Sequence, residues 1–157
     1  MLKKIISGGQ TGADQAGLDV AIQNNIPHGG WIPKGRLTEI GPLSDKYQLH
    51  EMRSESYPER TEKNVTDSDG TVIITHGKLS AGCLLTRDKA VEHNKPFLHL
   101  DMDRLTFDHG AELLKYFIED RQIGILNVAG SRASKDFKIY GITILVLETA
   151  IQALRRK

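Results

Sequence analysis

Ser7-Gly8-Gly9-Gln10-Thr11-Gly12-Ala13-Asp14 is the first of three short segments in which glycines, hydroxyls and charges are packed closely enough to do chemistry. Glycines in such a turn let the backbone bend sharply and bring its N–H groups against a phosphate, and a helix starting there adds positive potential. Gly8, Gly9, Gln10, Thr11 and Gly12 are therefore candidate ligand contacts, and Asp14 is the only candidate for acid/base work, the catalytic residues otherwise being unknown. Gly9 and Gly12 fit the dinucleotide fingerprint, but Ser7 stands where its first glycine belongs. No acidic residue closes the stretch Trp31-Ile32-Pro33, so ribose recognition of the NAD kind is unsupported. No Lys-Ser/Thr pair follows Gly12, which excludes a Walker loop. The same residues also read as a plain turn, with Thr11 and Asp14 as a capping box.

The second segment is His76-Gly77-Lys78-Leu79-Ser80-Ala81-Gly82-Cys83, in which Lys78 offers a point charge for an oxyanion and Ser80 can cap a helix. The third is Gly130-Ser131-Arg132-Ala133-Ser134-Lys135, in which a guanidinium and an ammonium beside small residues suit a phosphate. A fourth candidate pairs Arg60 with Asn64, one turn apart on a single helix face; Ser56 and Glu59 ahead of them form a capping-box pattern.

Elements of a definite kind must hold these segments. Short β-rich runs alternate with helix-period runs. Strands are expected over 3–7, 71–75, 97–100 and 124–129, with shorter ones at 29–32 and 47–52. Helices are expected over 14–24, 57–67, 82–93, 110–120 and 139–155. That alternation predicts βαβ units around a mainly parallel central sheet, hence an α/β fold with helices on its faces. All three glycine-bearing segments then leave strands from the same edge, where ligands bind in such sheets. At 157 residues the chain reads as a single domain, with one irregular insertion at about 33–56.

Composition narrows the function classes. Lys+Arg 21 against Asp+Glu 20 leaves a net charge of +1, which supplies no polyanion field and argues against a nucleic-acid partner. The two isoleucines after Lys4 are too short a run for a signal peptide, and the apolar stretch 139–154 is interrupted by Glu148 and Gln152. No membrane partner is expected. Cys83 is the single cysteine, which fits a reducing, cytoplasmic compartment, and a packed thiol is the commoner reading than a nucleophile. The six histidines show no ligand spacing, so no metal site is expected. Helix 139–155 carries apolar residues all round its axis, and its outward side predicts a homodimer or higher homo-oligomer unless the 33–56 insertion covers it.

Three longer motifs together resemble a known family. Ser-Gly-Gly-Gln-Thr-Gly-Ala-Asp (7–14), Arg-Thr-x-x-Asn-Val-x-Asp-Ser-Asp-Gly-Thr (60–71) and Asn-Val-Ala-Gly-Ser-Arg-x-Ser-Lys (127–135) are similar to the molybdenum-cofactor carrier proteins. Those proteins are a circularly permuted, Rossmann-like branch of the superfamily that includes the LOG-type nucleotide phosphoribohydrolases. The resemblance runs through nearly the whole chain. It implies a three-layer Rossmann-like fold that binds molybdenum cofactor, or a related phosphate-bearing pterin or nucleotide, at the carboxyl ends of the strands. Carried over, Gly8, Gly9, Thr11, Gly12 and Asp14 form the first loop, with Arg60 and Asn64 approaching from the side. Gly82 opens a second anion site, and Gly130, Ser131, Arg132 and Lys135 complete the pocket. Cys83 replaces an expected hydroxyl residue, Ser131 an expected proline, and the phosphoribohydrolase signature Pro-Gly-Gly-x-Gly-Thr-x-x-Glu is absent. A carrier or binding protein is the leading expectation. The alternatives are an enzyme acting on a nucleotide-derived substrate, with Asp14 paired to Arg60 or Arg132, and a nucleotide-sensing module.

Overall fold

The computed structural model of the chain describes residues 1–156. Five strands form the central sheet: β1 (Lys4–Ile6), β2 (His28–Gly29), β7 (Gly70–Thr75), β8 (Phe97–Asp101) and β9 (Ile125–Gly130). Four two-residue strands lie between them, namely β3 (Trp31–Ile32), β4 (Leu37–Thr38), β5 (Gly41–Pro42) and β6 (His50–Glu51). The helices are α1 (Ala13–Gln23), α2 (Tyr57–Thr66), α3 (Ala81–Glu92), α4 (Phe107–Asp120) and α5 (Ile139–Arg155).

The sheet order is β2-β1-β9-β7-β8 and every pair in it is parallel. Parallel neighbours need long crossovers, and the helices supply them. On one face α5 packs between α1 and α4, and on the other α2 packs on α3. The result is the expected three-layer, Rossmann-like α/β arrangement. Strands covered on both faces must be apolar throughout, and Val72, Ile73 and Ile74 of β7 have no exposed surface. Register places Ile5 opposite Leu126 and Val72 opposite Val128; β7 and β9 finish side by side, with Ile74 opposite Gly130, while β1 stops short of them at Ile6 opposite Asn127. Among the described residues no helix is long and apolar enough to cross a membrane.

The expected helices are found, most with slightly earlier starts. Helix α4 begins at Phe107 rather than near Gly110, because the Thr106 hydroxyl accepts from the His109 amide and caps it. The expected caps hold too: Ser56 accepts from Glu59 N at 3.3 Å and Ser80 from Cys83 N at 3.4 Å. The run 29–32 is split, however. Gly30 takes φ +124 and packs so closely on the Ser7 backbone that a Cβ would collide with it. The chain bends away there, leaving β2 on the central sheet and β3 in a separate two-stranded sheet with β6. That bend launches the strap 33–56, which is folded rather than irregular. It carries the β4–β5 hairpin and buries Leu43, Tyr47 and Leu49 with Ile32 against Leu18 of α1. Arg36 pins it internally by donating to the carbonyls of Ser44, Tyr47 and Leu49.

The strap does not cover α5. That helix is enclosed by the sheet, α1 and α4, and only a narrow stripe of it reaches the surface. All-round apolarity in this sequence therefore reflects burial on three sides. The flanking helices, which the one-dimensional pattern could not place, provide most of the cover.

Candidate functional site

Strand order puts a crevice above β9. The chain leaves β1 towards one face of the sheet through α1 and leaves β7 towards the other through α3, so the two turns part around the end of β9. A pocket of about 670 Å³ opens there, a size typical of small-molecule sites. Gly8, Gln10 and Asp14 line it from the first loop, Arg60 and Asn64 from α2, Gly82 from the start of α3, and Gly130, Ser131, Arg132 and Lys135 from the third loop. The same pocket takes in Tyr57, Thr61, Ser80, Cys83, Thr86 and Asn127, none of which was a sequence candidate for it except Cys83. Lys78 is exposed and outside the lining, because the turn at Gly77 (φ +88) carries it away.

The first loop is internally satisfied to an unusual degree. Gly9 N donates to Ser7 Oγ (3.3 Å), Gln10 N to Asp14 Oδ2 (3.2 Å), Thr11 N to Gln10 Oε1 (3.1 Å) and Ala13 N to the Ser131 carbonyl (3.1 Å). Gly9, Thr11 and Gly12 thus shape the loop from behind the pocket wall. Gly12 has φ +84, and a Cβ on it would strike the Ser131 carbonyl and the Ala133 amide, so only glycine lets the first and third loops touch. The capping box from Thr11 to Asp14 is absent. Gly12 is the N-cap of α1 with no side-chain bond, and the Asp14 carboxylate reaches back into the loop instead.

Asp14 and Arg60 form the charged floor. The Arg60 guanidinium donates to the Gly8 carbonyl at 2.7 Å and lies where a Gly8 Cβ would be. Tyr57 stacks on the same guanidinium, 5.4 Å from ring centroid to Cζ. Burial pushes the Asp14 carboxyl up to about 6, although the Arg60 charge, the Gln10 and Gly8 amides and the more distant Arg132 pull it down. Asn64, by contrast, spends both ends of its amide on one neighbour. It accepts from Trp31 N at 2.8 Å and donates to Trp31 O at 3.1 Å, fastening β3 to α2. Cys83 is buried and its thiol is raised by that burial, which fits the packing reading rather than a thiolate nucleophile.

Sequence reasoning missed Glu39, at the tip of the strap hairpin. Its carboxylate accepts from the Thr11 hydroxyl, from Ser134 N (3.0 Å) and from Ser134 Oγ (2.6 Å), and stands 3.9 Å from Arg132 Nη1. Burial alone would raise this carboxyl. The hydrogen bonds from Ser134 and Thr11 and the Arg132 charge outweigh it and hold the group below the ordinary glutamate range. No spacing rule connects position 39 to positions 11 and 134, so the signal was invisible in one dimension. The second loop is similarly tied to the third by a hydrogen bond between His76 Nδ1 and the Asp136 carboxylate. Away from the pocket, Glu62, Glu92 and His93 each bring a ligand atom within 4.8 Å of the others, but Lys89 already bridges the two glutamates.

Parallel strands sandwiched by helices, with a pocket above the strand ends, define a Rossmann-like α/β protein. Residues 5–151 match the circularly permutated YpsA SLOG family, and the chain belongs to that family. It is similar to a crystal structure from Syntrophus aciditrophicus SB named "Putative molybdenum carrier protein". The two share 51% sequence identity over 96% of this chain and 95% of that one, with a TM-score of 0.94. No functionally curated protein matches the chain.

Proposed function

We propose that the protein binds a phosphate-bearing small molecule of pterin or nucleotide type at this pocket, molybdenum cofactor included, and holds it as a carrier in the cytoplasm. The observation that carries the reading is the distribution of charge around the pocket. Arg60, Arg132 and Lys135 surround a cleft whose opposite wall is the first turn of α3, and Gly82 leaves that turn open, with no atom within 4 Å of a Cβ placed there. The amides of the first loop are occupied by Asp14, Ser7, Gln10 and Ser131, so the phosphate rests on Arg132, Lys135 and the α3 amides rather than on the Gly9–Gly12 turn. Asp14 and the Asn127 side chain face the other end of the ligand, where N–H or ribose hydroxyl donors belong. The name given to the similar Syntrophus aciditrophicus protein supports a carrier.

Native mass spectrometry of freshly purified protein, followed by calorimetry with mononucleotides and a phosphopterin, tests the reading. Arg132 is about half exposed, so Arg132→Ala should leave the melting temperature nearly unchanged while weakening the tightest binder roughly 10- to 100-fold. Unaltered affinity removes Arg132 from the site, and no binding anywhere in the panel defeats the proposal. One observation favours an enzyme as the second reading. Asp14, raised to about 6 beside a guanidinium, is poised for proton transfer near neutral pH. Incubating the bound nucleotide with the protein and separating the products distinguishes the two, since a carrier returns the ligand unchanged.

A further inference from the structure

The pocket extends below its rim along the α2–α3 side of β9. Side chains alternate along a strand, and Val128 faces α1, since a Cβ on Gly17 of that helix would strike it. Asn127 and Ala129 therefore face the opposite layer, and both line the pocket. Asn127 is only 3% exposed and stands three residues before the end of β9, about 10 Å down the strand. On that side of β9 only the Ala129 methyl lies between it and the rim. Thr86 comes in from α3, one helical turn beyond Gly82 and about 6 Å further down. The groups at this end offer a ligand mainly acceptors. Asn127 Nδ2 donates to Thr71 Oγ1 at 3.2 Å, which leaves one amide hydrogen, and among the described residues nothing donates to its Oδ1. The Thr86 hydroxyl hydrogen is spent on Gly82 O at 3.2 Å, so its lone pairs remain. Asp14, nearer the rim, adds a carboxylate above about pH 6. The Thr61 hydroxyl can serve either way, and Asn64 drops out of the count because Trp31 takes both ends of its amide.

We infer that the deep end of the pocket reads the ring of its ligand, selecting an edge with two adjacent N–H donors beside a carbonyl, and that Asn127 is the residue that selects it. The inference rests on the ligand reading given above and adds the ring class to it. Guanine and pterin share the required edge, a ring N–H and an amino group next to a carbonyl oxygen. Their two donors meet acceptors in the pocket, and their one acceptor meets the amide hydrogen that Asn127 retains. Adenine offers an amino group beside a bare ring nitrogen. Against this wall its lone pair would face further lone pairs, and a buried acceptor would be left without a donor. A site built to hydrogen-bond a substrate rejects the analogue that lacks the matching group far more strongly than an apolar site does. Asn127 is suited to that task because its bond to Thr71, a residue with no exposed surface on the neighbouring strand, fixes the amide before any ligand arrives. The phosphate then stays at the rim with Arg132 and Lys135, and the two ends of the ligand are recognised by different residues.

Equilibrium binding of GMP, a phosphopterin, AMP and ribose 5-phosphate to the full chain at about pH 7.5 decides it. The better of the first two should bind roughly 10- to 100-fold tighter than AMP and ribose 5-phosphate, and which of them is better identifies the ring. Asn127→Leu, similar in size, should remove most of that preference, while ribose 5-phosphate, which has no ring to reach position 127, keeps its affinity and so reports an intact site. Thr86→Val should lower the preference in the same direction. Arg132→Ala should instead weaken all four probes alike, because it acts on the phosphate. AMP binding as tightly as both GMP and the phosphopterin overturns the inference but leaves the phosphate reading standing. An Asn127→Leu protein that keeps the full preference, or loses all four probes equally, also overturns it. Failure of every probe to bind the wild-type protein defeats the phosphate reading, and the inference falls with it.

Discussion

Burial raises the Asp14 carboxyl to about 6 even with Arg60 and two backbone amides beside it, so at neutral pH its ionised form is held against the preference of the fold. In the unfolded chain the same group titrates near 3.8. Between those values the native state keeps a proton that the unfolded state has lost, so stability falls as pH rises from about 4 to 6 and the penalty stays in full above 6. Asp14→Asn mimics the protonated form and retains an acceptor for Gln10 N. It should therefore raise the melting temperature by roughly 2–6 °C at pH 7.5, and by much less at pH 4.5. Scanning calorimetry of both proteins across that range checks it, and a destabilised Asn variant at pH 7.5 would mean that Arg60 needs the negative charge more than burial penalises it. A charge that costs stability belongs where a ligand uses it. Asp14 and Arg132 were legible in the sequence because each stands beside a glycine-bearing turn, and Arg60 because it shares a helix face with Asn64. Asn64 was legible as a member of the cluster but not in its task. Whether an amide faces a ligand or a backbone depends on the bend at Gly30, which only the folded chain has. Glu39 was not legible at all, since its partners are 28 and 95 residues away in sequence.

At the scale of elements, the two open questions are how the loops hold together and which glycines matter for what. Gly12 and Gly82 both start helices beside the pocket, but they do so in opposite surroundings. Gly12→Ala forces a side chain into φ +84 and against the Ser131 carbonyl, and should cost roughly 2–4 kcal/mol by prying the first and third loops apart. Gly82→Ala meets empty space in a first helical turn and should be neutral or stabilising by up to about 1 kcal/mol. If anions approach the α3 amides there, the same methyl should weaken nucleotide binding several-fold, so denaturation and calorimetry on the pair separate a glycine needed by the fold from one needed by the ligand. The strap is the third part. Glu39→Gln keeps an acceptor for one of its donors but turns an NH₂ towards the others, and should lower stability at pH 7 by about 1–2 kcal/mol. Because the Glu39 carboxyl is held below its ordinary range, that contribution is present at neutral pH and lost as pH falls through its folded value. Wild type and variant should therefore converge in acid. Hydrogen exchange locates the effect: the amides of Ala133 and Ser134 should exchange faster in the variant while those of β7 stay protected.

The segment that could divide the chain is the strap, which carries the β4–β5 hairpin, pairs β6 with β3 and supplies most of a second hydrophobic cluster. Three features argue that it cannot fold or unfold separately. Its cluster is completed by Leu18, a residue of α1 with no exposed surface, so the strap's core is partly the core of the main sheet. Tyr47 and Tyr140 both donate to the Asp19 carboxylate, which joins strap, α1 and α5 at one group. At its other end Glu39 is bonded to both pocket loops, and those loops are continuous with the two strands at the centre of the sheet. Opening the strap thus exposes Leu18, strips Asp19 of the Tyr47 hydroxyl and the Lys46 ammonium, and frees the loop that carries Arg132. A unit coupled in that way should melt in one transition. At about 0.7 kcal/mol per residue the unfolding enthalpy near 60 °C comes to roughly 110 kcal/mol, and the calorimetric and van't Hoff values should agree. A ligand bound at 100 times its dissociation constant should move that single peak upward, by the equivalent of about 2.7 kcal/mol, without splitting it. Two peaks, or a van't Hoff enthalpy well below the calorimetric one, would show that residues 33–56 unfold on their own. The pocket would then have a wall that comes and goes independently of the sheet beneath it.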